Sequence, residues 1–270
     1  MSSSAKELDF VPHDQWPTIE QLAQGYDEYL MSESTGLANR RFLFLFENGW
    51  EIDHQFDSGG NLTWDILEGG EHTGLKATQP YKAFEVRPGI FFVNFYKEKF
   101  EEQVSMVLDT VGGRVLNAIS SYERRADGET RTRSQFVQAA LADHPAPSTF
   151  KTTDELVGKR MLYRYSPRDW YEHIYLNKST LAWHCLSGVE KGLADTEKLD
   201  AWKIAEDCYL LTWSERVMPV EAFIITDLQH KRSTGSFFCW DPKPAKPIRM
   251  LFGSHAEIAN QTDYPDNQIG

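Results

Sequence analysis

Two tyrosines and one glutamate have the residue types and the spacing to form an acid/base site. Tyr163 and Tyr165 lie two positions apart in the segment LYRY, and Glu215 follows Trp213 by two positions in LLTWSE. A β-strand directs alternate side chains to one face, so the phenols and the carboxylate can point into one apolar interior. There the phenols could hydrogen-bond a developing oxyanion, and a carboxyl group with a pKa raised by burial could exchange a proton with a substrate.

Further candidates lie on the neighbouring predicted strands. His184 could relay a proton near neutral pH, although it faces away from Trp183, its neighbour in sequence. We therefore predict catalytic roles for Tyr163, Tyr165, Glu215 and His184. We predict substrate contacts from Glu172, His173, Trp183 and Trp213.

Two plainer interpretations stay open for these residues. Tyrosine rings can plug a barrel mouth with their hydroxyl groups in water, and a lone strand histidine such as His173 is more often structural. No two histidines of one predicted element have the spacing of metal ligands, and the glycines form neither GxGxxG nor GxxxxGK[ST]. We therefore expect no metal site and no cofactor.

The elements that must position these residues are short strands. Residues 158–238 read as five or six strands joined by tight turns, with aromatic residues at alternate positions. This pattern is typical of a small antiparallel barrel. Residues 41–120 show the same pattern, and they begin with a hairpin predicted at Asn48 and Gly49, the strongest short-range hairpin signal.

The two stretches form an internal repeat with the shared order strand, aromatic residue, glycine turn and strand. The matched positions are Trp50 with Trp170, Trp64 with Trp183, Gly70 and Gly74 with Gly188 and Gly192, and Phe95 with Trp213. The repeat predicts a mainly β fold with two related antiparallel barrels in tandem and a few short helices.

The two copies differ where chemistry is predicted. In the first copy, Phe44 and Phe46 match Tyr163 and Tyr165, Lys97 matches Glu215, and Asp65 matches His184. Maintenance of the fold alone does not explain why these polar groups occur in one copy only. The sequence therefore places the reaction site in the second barrel.

The chain divides into four predicted regions. Residues 1–34 form an N-terminal tail and a helix over about residues 18–30, which could lie across a barrel end as a lid, although a helical strap that only packs against the barrel is the more common case. The first barrel spans 35–125, a linker spans 126–155 and the second barrel spans 156–262. A charged run and a Pro-rich segment mark the linker, which could contain a short helix from Ser134 to Ala142.

Composition limits the partners and the compartment. The formal net charge of −12 over 270 residues argues against nucleic acid and anionic membranes, which require clustered Lys and Arg. We expect a small apolar or aromatic ligand, and we leave a homo-oligomer open. Three cysteines without metal-type spacing, Cys185, Cys208 and Cys239, are predicted to be buried free thiols. With no signal-peptide pattern, we expect a cytoplasmic protein.

The residues that mark the repeat resemble the MoaF-like family. In the first half they are Asn48-Gly49-Trp50 and Val107-Leu108-Asp109, and in the second half they are the run from Tyr171 to Asn177, Trp183, Gly188 with Gly192, Trp213-Ser214-Glu215 and Thr226-Asp227-Leu228. The resemblance covers about residues 35–260. It implies two calycin-type, lipocalin-like β-barrels in tandem.

The second half also resembles the phenolic acid decarboxylases, which are single calycin barrels that use no cofactor. The resemblance puts Tyr163 and Tyr165 at that family's tyrosines, Ser187-Gly188 at its turn and Glu215 at its acidic catalytic residue. It also puts Glu172 at the family's next tyrosine. Where the family has the arginine that engages the substrate, this chain has Gly192-Leu193-Ala194, so bidentate capture of a carboxylate is not expected.

These observations together predict a cofactor-independent lyase or isomerase. Its reaction would be a dehydration, a tautomerisation or a decarboxylase-like proton transfer on a small conjugated or aromatic metabolite, rather than phenolic acid decarboxylation as such. The alternative is a non-catalytic, lipocalin-like protein that binds a small molecule. A third interpretation is a scaffold of paired barrels in an oligomer.

Overall fold

Most residues between Arg41 and Gln261 belong to antiparallel strands or to the turns that join them. The computed structural model describes residues 11–144 and 148–264. The first ten residues of the predicted N-terminal tail therefore lie outside the described residues. Within the described ranges, no helix has the length and apolar composition needed to cross a bilayer.

The first eight strands form a closed barrel in which each strand pairs with the next and β8 pairs with β1. The strands are β1 (Arg41–Phe46), β2 (Glu51–Phe56), β3 (Asn61–Glu68), β4 (Lys76–Arg87), β5 (Ile90–Lys97), β6 (Glu102–Asp109), β7 (Arg114–Arg124) and β8 (Thr130–Leu141), with 3₁₀ turns at Gly70–His72 and Glu98–Phe100. Gly49 has a φ of 84° in the first hairpin, a conformation that glycine adopts without strain. The predicted hairpin at this position is confirmed.

The second barrel repeats this arrangement and closes where β12 pairs with β13. Its strands are β10 (Lys159–Arg164), β11 (Trp170–Asn177), β12 (Thr180–Ser187), β13 (Ala194–Ala205), β14 (Cys208–Ser214), β15 (Val220–Asp227), β16 (Arg232–Asp241) and β17 (Lys246–Gln261). The short strand β9 (Lys151–Thr152) pairs with Trp202 and Lys203 near the C-terminal end of β13.

The predicted fold of two antiparallel barrels in tandem is confirmed, and the sequence repeat falls on equivalent strand positions. Trp64 and Trp183 each occupy the fourth position of their strand. Phe95 and Trp213 each occupy the sixth. The aromatic residues that match in the sequence repeat therefore occupy equivalent inward-facing positions in the two barrels.

Strand β8 lies inside the range predicted as a linker. The helix predicted from Ser134 to Ala142 is wrong, because these residues pair with β7 and, at the far end, with β1. The run FVQAAL favours a helix by local propensity. Without β8, however, the backbone groups of β1 and β7 would be left at open sheet edges, so tertiary pairing overrides the local preference.

The barrels pack against each other through apolar side chains on their outer faces. One core cluster joins residues of the first barrel, among them Phe84 and Phe92, to residues of the second, among them Leu210 and Phe223. The rings of Phe92 and Phe223 stack with centroids 5.4 Å apart. Successive side chains of a strand point to opposite faces. In each barrel, one alternate set of side chains therefore fills the lumen, and the other set includes the residues that form the interface.

An ion pair also joins the barrels. Arg87 at the end of β4 donates two hydrogen bonds of 2.7 Å to Asp227 at the end of β15, and the side chains are 14% and 1% exposed. Burial by itself would raise the pKa of Asp227, but hydrogen bonds from Arg87 and His230 hold it below its ordinary value. The pair therefore keeps a buried carboxylate ionised at the interface.

Replacing Arg87 by Ala is expected to lower the free energy of unfolding by about 3 kcal/mol or more, because the buried Asp227 loses its main charge partner. The measurement is urea unfolding followed by tryptophan fluorescence. The control is Lys82→Ala, which breaks an exposed pair with Glu33 and is expected to cost about 0–1 kcal/mol. Equal losses in the two variants would contradict the structural role of the Arg87 pair.

The segment before the first barrel, residues 11–31, is here called the strap. It contains a 3₁₀ turn at His13–Gln15 and the helix α1 (Ile19–Leu22), which begins with a capping box between Thr18 and Gln21. The predicted helix to residue 30 is therefore too long. Gly25 has a φ of 89°, which is outside the helical region, and the chain continues as turns.

Candidate functional site

The strap lies across one end of the second barrel, as the lid prediction requires. Trp16, Ile19, Leu22 and Tyr26 are buried in the core of that barrel. Together with side chains of the barrel, the strap encloses a cavity of about 50 Å³. The barrel contributes the residues Tyr165, Tyr171, His173, Trp183, Glu190, Trp213 and Glu215, among others, to the wall of this cavity.

Hydrogen bonds fix the strap on the barrel. The amide of Gly253 donates to the carbonyl of Tyr26 at 3.1 Å. Nζ of Lys243 donates to the carbonyl of Trp16 at 2.8 Å. These contacts hold the hydroxyl group of Tyr26 over the cavity, so the strap contributes a polar group as well as a cover.

Glu215 lies directly after β14, with its side chain in the cavity. Its Oε1 accepts a hydrogen bond of 3.3 Å from Nε1 of Trp213, and its Oε2 is buried with no hydrogen-bond partner among the described residues. Burial raises the pKa of Glu215 well above its ordinary value, and the nearby carboxyl groups of Glu190 and Glu197 raise it further. Its surroundings therefore favour the neutral, protonated form of Glu215.

A second carboxyl group, Glu190, reaches the same cavity through a chain of phenols. The hydroxyl of Tyr26 donates to that of Tyr171 at 2.6 Å, and Tyr171 donates to Oε2 of Glu190 at 2.5 Å. Burial raises the pKa of Glu190 to about 7, although the Tyr171 hydrogen bond opposes the shift. Glu190 therefore changes protonation near neutral pH.

Four buried polar atoms in the wall of the cavity have no hydrogen-bond partner in the part of the chain that the structure describes: Glu190 Oε1, Glu215 Oε2, His173 Nδ1 and Trp183 Nε1. Buried polar groups are almost always hydrogen-bonded in native proteins. Several such atoms around one cavity indicate a site that is built to bind a molecule with polar groups of its own.

The two tyrosines predicted as catalytic have different surroundings. Tyr165 lines the cavity and stacks on Tyr26, with ring centroids 4.9 Å apart. Tyr163 lies deeper in the barrel, where its hydroxyl hydrogen-bonds those of Tyr175 at 3.0 Å and Thr226 at 3.1 Å. Tyr163 is therefore committed to the core and does not line the cavity.

His173 lines the cavity, but its position is shared with the first barrel. It packs on Tyr163 with ring centroids 4.4 Å apart, and His54, at the same position of β2, stacks on Phe44 at 4.0 Å. Burial lowers the pKa of His173 to about 3 and that of His54 to about 4. Both rings are neutral, and their recurrence favours a structural role for the imidazole.

Glu172 and His184 lie on the outer face of the barrel, so the structure does not bring them into the cavity. Nδ1 of His184 lies 2.9 Å from Oε1 of Glu172, whose other oxygen accepts from Arg160. Asp65, the repeat partner of His184, also points outward and pairs with Lys76 at 3.0 Å. A polar residue at this repeat position marks a solvent-facing site, which explains why the sequence comparison misassigned His184.

Sequence reasoning missed Tyr171, Glu190 and Tyr26. The resemblance put Glu172 where the tyrosine was needed, and a shift of one residue along a strand reverses the face. Glu190 lies in the glycine turn from Gly188 to Gly192, a context that normally indicates exposure. The described residues contain no group of three or more His, Cys, Asp or Glu side chains placed to hold a metal ion, and the three cysteines are free and buried, as predicted.

Comparison with known proteins assigns the chain to a family. A family model described as the MoaF N-terminal domain matches residues 14–124, and one described as the MoaF C-terminal domain matches residues 150–262. Protein MoaF of Klebsiella aerogenes is 38% identical over 264 residues, which are 92% of this chain and 97% of that protein. The chain belongs to the MoaF family. The predicted family resemblance is thereby confirmed.

The cavity of this MoaF-family chain uses both matched segments, because Tyr26 lies in the first and Glu215 in the second. Among solved structures, a crystal structure from Burkholderia vietnamiensis, provisionally assigned as a beta-lactamase, covers 38% of this chain and 95% of its own, at 16% identity and a TM-score of 0.33. A similarity at this level carries no argument about activity.

Gly253→Ala is expected to dislodge the strap, because a Cβ at this position would lie 2.1 Å from the carbonyl oxygen of Tyr29. We expect faster proteolysis of the strap and greater exposure of Trp16, both measurable by limited proteolysis and fluorescence quenching. Gly59→Ala is the matched control, since its Cβ would come no closer than 3.4 Å to a neighbour. A Gly253 variant as resistant to protease as the control would show that the strap does not depend on this contact.

Proposed function

We propose that this protein is a cofactor-independent lyase or isomerase that moves a proton on a small conjugated or aromatic molecule. The observation that carries the proposal is the pair of buried carboxyl groups, Glu190 and Glu215, which line one aromatic cavity and each have one oxygen without a partner among the described residues. Pairs of acids whose surroundings set their pKa values apart are typical of acid/base catalysis.

The two carboxyl groups suit opposite roles. Glu190, with a pKa of about 7, is partly ionised at neutral pH and takes a proton from the substrate through Oε1. Glu215, whose protonated form is favoured by burial, delivers its proton to the other end of the conjugated system. In an isomerisation the proton goes to carbon or to an enolate oxygen. In a dehydration it goes to the departing hydroxyl group, which leaves as water while the double bond forms.

The aromatic wall provides binding and orientation. Nε1 of Trp183 is a buried donor aimed at no other described group, so it can hydrogen-bond a substrate carbonyl. Tyr165 offers a ring face and a phenol beside it. Donors that are fixed before the reaction stabilise the negative charge that develops on oxygen in the transition state.

Entry of a substrate requires movement of the strap. A cavity of about 50 Å³ is far smaller than the roughly 300 Å³ or more of ordinary small-molecule sites. Withdrawal of Ile19, Leu22 and Tyr26 would open the barrel end to solvent. Closure over the substrate would then exclude water and restore the hydrogen bond from Tyr26 to Tyr171.

The proposal is tested with benzylideneacetone and its β-hydroxy ketone hydrate, incubated with the protein in D2O and followed by proton NMR. We expect protein-dependent interconversion or exchange of deuterium at the carbon next to the carbonyl group. Binding of both compounds without any exchange or conversion would favour the alternative function, a lipocalin-like carrier. The deep burial of the cavity beneath the strap is the feature that would suit such a carrier.

A further inference from the structure

A second cavity, of about 300 Å³, lies between the two barrels. Its wall is rich in hydroxyl groups, which come from both barrels, and they include Ser105, Ser120, Ser134, Thr212, Ser214 and Ser236. The volume reaches the lower end of the range of about 300–1,000 Å³ for small-molecule sites. Trp213 lines both this cavity and the one under the strap, but the other wall residues differ, because this cavity faces the outer surface of β14 to β16.

The hydroxyl groups are organised by the two barrels together. Ser105 on β6 and Ser236 on β16 lie 2.8 Å apart across the interface, and Ser120 and Ser134 lie 2.7 Å apart within the first barrel. A hydroxyl has one donor and two acceptor positions. Each pair therefore keeps capacity for a further hydrogen bond to a molecule in the cavity.

A buried acid, Glu221, also lines this cavity. Glu221 is only 5% exposed. Its Oε2 accepts a hydrogen bond of 2.8 Å from the hydroxyl of Ser214. Burial raises its pKa, and the hydroxyls of Ser214, Ser134 and Thr132 oppose the shift. No group in the described ranges hydrogen-bonds Oε1, so one carboxyl oxygen is left to hydrogen-bond a molecule in the cavity.

The remaining wall favours a neutral molecule with apolar faces. Phe136 and Phe223 contribute rings, which can pack on the C–H face of a carbon skeleton. Lys198 and Asp200 pair with each other at 3.2 Å, with side chains 76% and 37% exposed, and they mark the solvent side of the cavity. A charged ligand would have to offset the cost of burying its own charge. The hydroxyl groups of a neutral ligand avoid this cost, and they can both donate hydrogen bonds to the hydroxyl groups of the wall and accept hydrogen bonds from them.

We propose that the cavity between the barrels is a second binding site, which takes a neutral polyhydroxylated molecule of about the size of a monosaccharide. Both barrels supply hydroxyl groups to it, and Glu221 accepts a hydrogen bond from the ligand through Oε1. The proposal does not depend on the reaction proposed for the cavity under the strap.

The test is saturation-transfer difference NMR of the full chain with myo-inositol and with glucose. Binding of at least one of them is expected, with a dissociation constant raised about tenfold or more, which is about 1.4 kcal/mol, in Glu221→Gln and in Ser236→Ala. The variant Glu190→Gln, altered in a residue that lines only the other cavity, is expected to bind within about twofold of the unaltered protein, since sites without shared contacts act independently. Thermal unfolding of each variant confirms that it is folded.

Three results would overturn the proposal. The first is that neither polyol binds the unaltered protein. The second is that putrescine binds at this site in place of the polyols, which would identify a cation site. The third is loss of polyol binding in Glu190→Gln with full retention in Ser236→Ala, which would place the polyol in the cavity under the strap. Ser236→Ala makes only a small change, so it keeps the test valid if Glu221→Gln fails to fold.

Discussion

Replacing Glu215 by Gln is expected to lower the turnover of proton exchange about a hundredfold or more, the usual effect of removing a positioned acid/base group. The amide keeps the size of the side chain and can still accept the hydrogen bond from Trp213. It has no acidic proton to deliver, so binding should persist while turnover is lost. The measurement is the rate of deuterium uptake at saturating benzylideneacetone.

The matched control is Glu172→Gln. Glu172 is also a glutamate of low exposure in the second barrel, but it points outward to Arg160 and His184. We expect the turnover of this variant to stay within about twofold of the unaltered protein, because Glu172 does not line the cavity. A large loss in Glu172→Gln with full activity in Glu215→Gln would contradict the catalytic role assigned to Glu215.

Replacing Glu190 by Gln is expected to stabilise the fold above neutral pH. The pKa of Glu190 is raised from 4.5 to about 7 by burial. The unfolded chain therefore releases this proton near pH 4.5 while the folded chain holds it until about pH 7. The unfolded state binds fewer protons over this window, so stability falls as pH rises through it. The full cost is about 3 kcal/mol, and Gln removes it.

The measurement is the free energy of unfolding of both proteins between pH 4 and 9. The difference should be small near pH 4, grow through pH 5 to 7 and then level off. Glu257→Gln, an exposed position on β17, is the control and should give a flat difference. A pH-independent gain in Glu190→Gln would mean that packing, rather than a buried proton, separates the two side chains. If Glu190→Gln also loses activity while it gains stability, the buried acid costs stability because the reaction requires it.

The N-terminal strap shows how a local pattern can predict an element without fixing its extent. The apolar spacing of Ile19, Leu22 and Tyr26 predicted a helix and a lid, and the structure has a single helical turn in that place. These residues are buried because they cover the apolar end of the barrel. Apolar side chains can do this from turns as well as from a helix. Strand β8 gives the opposite example, since its local helix preference yields to its pairing with β7 and β1.

Local patterns along the chain specify the two barrels, their tandem order and the row of Leu211, Trp213 and Glu215 on one face, because alternation along a strand and the repeat of glycine turns are local properties. Which groups share a cavity depends instead on packing between distant parts of the chain. Tyr26, Tyr171 and Glu190 come from the strap, a strand and a turn, and they meet through closure of the barrel and packing of the strap. Contacts between residues 145 positions apart, such as Tyr26 with Tyr171, leave no trace in local periodicity.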